Sequence, residues 1–301
     1  MIPRTRTRRR SLGLLAVAAV VVAAVVLAAA FLYQGSAPTE VSGAPDDGAT
    51  VVWAVGDGGD GSDSAQEVAD LIAEDDPDRL LYLGDVYETG TAEEFEENYD
   101  SVWGDLAEIT EPTIGNHEYS EREEGYLPYW EKATGGEQPL FYSFELAGWE
   151  IISLNSEKGL EPEDEQLAFL EEELSEPGTC RLPFWHTARY SAVPDSDEPV
   201  VEPFWDALSG HTEVVLSAHE HTMQRFEPID GITQLVSGAG GHGLYDLDPE
   251  DPRLAFGDDE NYGALRLELE RELARYAFVA SDGEVLDEGE ISCEPLEAGA
   301  S

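Results

Sequence analysis

Val51-Val52-Trp53-Ala54-Val55-Gly56-Asp57-Gly58-Gly59 is the stretch on which the fold turns. An apolar, β-rich run ended by glycine predicts a strand over residues 50–55. Asp57 then stands at its carboxyl end. The same layout recurs four times along the chain. Leu80-Leu81-Tyr82-Leu83 runs into Gly84-Asp85, and a strand over 109–114 runs into Gly115-Asn116-His117-Glu118. Arg181-Leu182-Pro183-Phe184-Trp185 leads to His186, and Val214-Val215-Leu216-Ser217-Ala218 leads to His219-Glu220-His221. In open α/β sheets ligands gather beyond the carboxyl ends of strands, so the five clusters are expected at one edge of the fold. Carboxylate, amide oxygen and imidazole together suit hard divalent or trivalent cations. Gly56, Gly84 and Gly115 are expected to supply the sharp bends that turn these side chains toward a common point.

The segments between the clusters alternate in type. A helix is predicted over 63–74, capped by Ser62 or Asp63, and a strand over 79–83 follows it, which implies a parallel pair with a right-handed crossover. Beyond these come a short helix near 91–99 and a long loop carrying Tyr126, Tyr129 and Trp130. A hairpin of 140–146 and 149–154 turns at Ala147-Gly148. Helices are predicted over 162–174 and 199–208, and residues 222–290 read mainly as strands. The fold class that results is α/β, a layered sandwich of two mixed β-sheets flanked by helices. Three parts are expected: an N-terminal membrane anchor or signal over 1–33, a linker over 34–49, and one domain over 50–296.

Charge excludes some functions. The 301 residues include 65 acidic against 16 basic, a net charge of -49. Nucleic acid, whose binding rests on a basic footprint, is therefore not an expected partner. The acidic side chains are spread over the whole chain, and Lys132 and Lys158 are its only lysines. This is the composition of a surface adapted to high salt. There the Debye length shrinks to about 3 Å and neighbouring carboxylates hardly repel. An acidic partner-binding face is the alternative.

From Leu12 to Tyr33 no residue is charged, and Arg4, Arg6, Arg8, Arg9 and Arg10 precede the run. That length can cross a bilayer as a helix, and the flanking arginines keep the N-terminus cytoplasmic. The expected location is the cell membrane with an extracellular catalytic domain, or secretion if the segment is cleaved near Ala28-Ala29-Ala30. Cys180 and Cys293 are the two cysteines; in an exported domain they could pair, or they could be unrelated buried thiols.

The ordered pattern Gly-Asp-x-Gly, Gly-Asp, Gly-Asn-His-Glu, His, x-His-x-His resembles the calcineurin-like metallophosphoesterase superfamily, most closely its purple-acid-phosphatase-like branch. Flanking text agrees, including Leu154-Asn155-Ser156 and Gln224-Arg225-Phe226. The resemblance spans roughly residues 50–245. It implies two metal ions, an Fe, Mn or Zn combination, with Asp57 and His221 on one, Asn116, His186 and His219 on the other, and Asp85 bridging. His117 would contact the phosphoryl group or protonate the leaving oxygen. The implied reaction is hydrolysis of phosphate monoesters through a metal-bridging hydroxide, on a small-molecule or surface substrate. Alternatives are a phosphodiesterase or nucleotide hydrolase on the same site, or a surface binding protein without turnover. The match also extends to the positions of Cys180 and Cys293, which favours their pairing.

This chain departs from the pattern in three places. A metal-binding tyrosine stands three residues after the bridging aspartate in purple acid phosphatases, whereas Tyr87 is two after Asp85. It is either a ligand or a core aromatic. Ala218 replaces a usual glycine, and Thr187-Ala188 replaces a frequent His-Pro. Arg189 and Arg225 could bind phosphate or anchor nearby carboxylates. His242, in Gly238-Ala239-Gly240-Gly241-His242, is a candidate for the substrate side of the cleft, on a turn lining the site. Asp60 and Asp63 are second-tier partners of the site, helix caps or solvated loop residues.

Overall fold

The computed structural model describes residues 48–157, 163–175 and 179–293. The anchor or signal over 1–33, most of the linker, Pro162 and residues 294–296 lie outside the described residues. Among the described residues no helix is long and apolar enough to cross a membrane.

Two sheets pack face to face. The first consists of β1 (Thr50–Val55), β2 (Arg79–Tyr82), β3 (Thr110–Pro112), β11 (Gly263–Glu270), β12 (Leu273–Ala280) and β13 (Val285–Ser292), in the order β13-β12-β11-β1-β2-β3. β1, β2 and β3 run parallel, and the others antiparallel. The second holds β4 (Tyr142–Leu146), β5 (Trp149–Ser153), β6 (Cys180–Thr187), β7 (Val214–Ala218), β8 (Met223–Phe226), β9 (Thr233–Ser237) and β10 (Leu254–Asp258), in the order β10-β8-β9-β7-β6-β5-β4. Its centre, β5-β6-β7-β9, is parallel.

The absence of polar alternation in β1 has a plain cause. Val52 and Ala54 face the inter-sheet core with Phe184, Leu216 and Leu267. Val51, Trp53 and Val55 face a second core with Val68 and Ile72 of the helix Asp63–Glu74 and with Tyr99 and Trp103. A third cluster sets Ile152, Trp185 and Val215 against Leu170, Phe204 and Leu208 on the far side of the second sheet. The order is helix, sheet, sheet, helix, and burial on both faces of the central strands supplies the main drive to fold.

Several boundaries differ from expectation. Ser62 caps the first helix by accepting from the Ala65 N–H at 3.1 Å. The segment near 91–99 continues as helical turns to Trp103, the middle part Phe95–Asp100 being wider than an α-helix; Phe95, Tyr99 and Trp103 recur every four residues and are all buried. The expected long loop contains a helix, Tyr126–Thr134, whose Tyr126 and Trp130 are drawn into the second core and whose end is a left-handed Gly135. β6 runs on through His186 to Thr187, so that His186 lies inside a strand and does not follow one.

Cys180, at the start of β6, and Cys293, after β13, form a disulfide with 5.6 Å between Cα atoms. It ties the two sheets together across 113 residues of chain.

Candidate metal centre

Three of the expected donors occupy strained backbone. Asp57, Asp85 and His219 have φ of 60°, 71° and 69°, a left-handed region in which Asp and His are tolerated at some cost. The bends are thus made partly by the ligating residues themselves. Gly115 serves by lacking a side chain, because a Cβ there would lie 2.1 Å from Asp85 Oδ1. Gly56 is similar: its Cβ would meet that of Ala218 at 2.5 Å, so Ala218 is accommodated because residue 56 is bare.

These turns bring donors from both sheets together. His186 Nε2 lies 3.0 Å from Asn116 Oδ1, 3.1 Å from His219 Nδ1 and 3.4 Å from Asp85 Oδ1. The ligand atoms of Asp85, His186 and His219 lie within 4.8 Å of one another. In a second group, Asp57 Oδ1 lies 3.6 Å from His221 Nε2. The Tyr87 hydroxyl sits between these two, 3.1 Å from Asp57 Oδ1 and 3.0 Å from His221 Nε2. The shortened spacing therefore still delivers the Tyr87 oxygen to the Asp57–His221 pair.

The donor chemistry fits cations. His186 Nδ1 is 2.8 Å from the Leu83 carbonyl, and His221 Nδ1 is 2.8 Å from that of Gly243. Carbonyls only accept, so in each neutral ring Nδ1 carries the hydrogen and Nε2 presents a lone pair, the arrangement in which a second partner orients a metal-binding imidazole. His186 Nε2 then faces Asn116 Oδ1 and Asp85 Oδ1, which also only accept. These acceptors are satisfied by positive charge: a proton on His186 Nε2, which the neighbouring Asp85 favours, or a metal cation in its place.

Electrostatics agrees. Burial pushes the Asp57 carboxyl up, and the neighbouring Asp85 adds to that against the pull of His186. Burial acts to lower His186, but Asp85, Asp57 and Glu157 together outweigh it and hold that imidazole well above its ordinary range. The two carboxylates therefore demand positive charge. His219 is pushed down to about 3 by burial and by the charge of His186, and His221 to about 4 by burial. Both are neutral near pH 7, as metal ligation requires.

Glu118 closes the third cluster, and nothing in its sequence context assigns it a role. Its buried carboxylate accepts from the N–H groups of Gly115 at 2.7 Å, Asp85 at 3.1 Å and Val86 at 3.0 Å. It clamps the end of β2 to the loop after β3, against burial that pushes its pKa up to about 7. The one signal for it is its place immediately after Asn116-His117.

His117 donates its backbone N–H to Asp85 Oδ1 at 3.1 Å, and its Nδ1 lies 2.7 Å from the Glu88 carbonyl. Nε2 is 3.8 Å from Asp85 Oδ2, on a side chain that remains 30% exposed. His242 stacks on Tyr87 at 3.9 Å, and its Nδ1 meets Asp60 Oδ2 at 3.0 Å; Asp60 is thereby a partner of a cleft-side imidazole. Both arginines have a carboxylate beside them. Arg225 forms two hydrogen bonds with Asp287, at 2.7 and 3.1 Å, and Arg189 lies 3.8 Å from Glu202.

A four-layer sandwich with carboxylate, amide and imidazole donors converging from its strand ends is the arrangement of a metal-dependent phosphoesterase. The calcineurin-like phosphoesterase family model matches residues 50–223, more than half of the sequence, and the chain belongs to that family. No curated protein matches it in sequence. Among solved structures it is similar to purple acid phosphatase PPD1 of yellow lupin seeds, with TM-score 0.67 and 18% identity over 82% of this chain and 54% of the lupin one. It is also similar to GAP50, described as the anchor in the inner membrane complex of Plasmodium (TM-score 0.69, 14% identity, 83% of this chain and 90% of that one). A dimetal phosphatase of Danio rerio gives TM-score 0.57 at 12% identity, over 81% of this chain and 99% of its own. At such identities the likeness is one of fold.

Proposed function

We propose that the domain is an exported phosphoesterase that uses two metal ions, an Fe, Mn or Zn combination, to hydrolyse phosphate monoesters. The observation that carries the reading is the convergence of Asp85, His186 and His219 within 4.8 Å, with Asn116 on one side and Asp57, His221 and Tyr87 on the other. When bound, the cations supply Lewis acidity and an ionised water. The protein residues do the rest. Asp85 is oriented by the Glu118 clamp and by the His117 N–H. His117, with Nδ1 fixed on Glu88 O, offers Nε2 to the cleft, where it holds a proton for the leaving oxygen. Tyr87 supplies a hydroxyl at the Asp57–His221 pair, as a metal-side donor.

The Cys180–Cys293 bridge supports an oxidising compartment. With the uncharged run Leu12–Tyr33 it favours export, by a membrane tether or by secretion. The net charge of -49 supports work in high salt.

The test compares Asp85→Ala with His117→Ala in molar salt with Mn, Zn or Fe supplied. Asp85→Ala is expected to abolish hydrolysis of a chromogenic monoester and to lower total metal content. His117→Ala is expected to keep its metals and lose kcat. Loss of metal from His117→Ala would refute its role, and an inert wild type with metals bound would refute turnover itself. Faster hydrolysis of a diester than of a monoester would move the substrate to the phosphodiester class.

A further inference from the structure

Tyr245 is the one large hydrophobic side chain exposed among the described residues, at 43%. Its position beside the metal centre makes that exposure informative. The ring lies parallel to His221, with centroids 4.1 Å apart and planes 16° from each other. One face is thus covered by a metal-side imidazole, while much of the ring remains open.

The backbone makes this a fixed surface. Tyr245 N–H donates to the His221 carbonyl at 3.2 Å, and His221 Nδ1 meets Gly243 O at 2.8 Å. His242, three residues earlier, stands edge-on to His221 at 5.2 Å and stacks on Tyr87. Four rings are therefore packed against each other, and Tyr245 is the most exposed of them.

On a surface of -49, the non-phosphate end of an anionic substrate gains nothing from the general field. A neutral, rigid, exposed ring offers recognition that does not depend on charge or salt, and flat rings stack on it at little cost in ordering.

Resting on the phosphoesterase reading, we propose that Tyr245 is the platform for the leaving group and selects esters whose alcohol carries a flat aromatic ring, aryl or nucleoside. A contact of this kind is expected to be worth about tenfold in affinity.

The experiment compares binding of phenylphosphonate and methylphosphonate, neither of which is hydrolysed, to metal-loaded protein in molar salt. Wild type is expected to prefer the phenyl compound about tenfold, the size of one stacking contact. Tyr245→Phe is expected to keep that preference. Tyr245→Ala and Tyr245→Leu, the second of which fills the space against His221 without a π-face, are expected to lose it at unchanged metal content. In turnover, the alanine variant should raise KM for an aryl phosphate about tenfold more than for glycerol phosphate. Absence of ring preference in wild type, or its survival in the leucine variant, would overturn the proposal. A wild type that prefers the phenyl ligand yet hydrolyses no ester would sink the hydrolase reading and leave the platform standing.

Discussion

Replacing Glu118 tests whether the site is held by a clamp that never touches a metal. Its two carboxylate oxygens serve three buried N–H groups, those of Gly115, Asp85 and Val86, at 2.7 to 3.1 Å. Glu118→Gln keeps the shape but has one carbonyl oxygen, so at least one N–H must face an NH2 group. Leaving one buried donor unpaired costs about 1–3 kcal/mol, and the remaining bonds lose their charge assistance. A loss of about 2 kcal/mol should lower Tm by about 4–8 °C in a domain of this size. Glu118→Ala strands all three donors and should cost about 3–9 kcal/mol, a large part of the roughly 5–15 kcal/mol that holds a domain folded. Because the bond that anchors the Asp85 N–H loses its charge assistance and the Val86 N–H beside it loses its acceptor, metal affinity should fall about 10- to 100-fold in the milder variant. Thermal melts and metal titrations in molar salt read both quantities. If Glu118→Gln melts with wild type and holds metal as tightly, the clamp argument is wrong.

Two further outcomes follow from other parts of the molecule. Cys293→Ser opens a loop closed over 113 residues and should lose about 2–5 kcal/mol by denaturant titration. Cys180 starts β6 six positions before His186, roughly 20 Å along an extended strand, so turnover below the melting range should not change. Glu94 gives a pH signature: burial pushes its carboxyl up, but the N–H groups of Thr91, Glu88 and Thr89 outweigh burial and hold it down to about 2. A depressed carboxyl contributes stability above its unfolded value near 4.5 and loses it as pH falls toward about 2. Glu94→Gln should flatten the acid limb of stability between those pH values; an unchanged limb would show that the Glu94 contacts do not persist in solution.

The parallel core was legible in the sequence because its strands are apolar throughout and end in glycine or polar residues, a pattern that only burial on both faces explains. That layout alone places Asp57, Asp85, Asn116 and His219 beyond strand ends, whereas His186, expected there too, lies within the last residues of β6. What escaped depends on contacts between distant segments. Arg225 stands behind the last histidine pair in sequence, yet its partner Asp287 is 62 residues away on β13. Glu118 looks like one more acidic residue in an acidic chain, since nothing local says that three N–H groups surround it. The reach of Tyr87 could not be counted along the chain, because the Asp57–His221 pair it meets is assembled from two other strand ends. Tyr126 and Trp130 sit among glutamates, and their helix is recognisable only once the core that receives them is in place.

The disulfide and the donor cluster share a strand: Cys180 opens β6 and His186 lies near its other end. Asp57, Asp85 and Asn116 come from the first sheet, and His186, His219 and His221 from the second. The sandwich is therefore a book with two clasps, a covalent one at one edge and an ionic one at the other. A reductant opens the first and a chelator the second. With cations bound as proposed, either treatment leaves the pages joined along the opposite edge, and removing the cations would cost a fastening as well as the proposed chemistry.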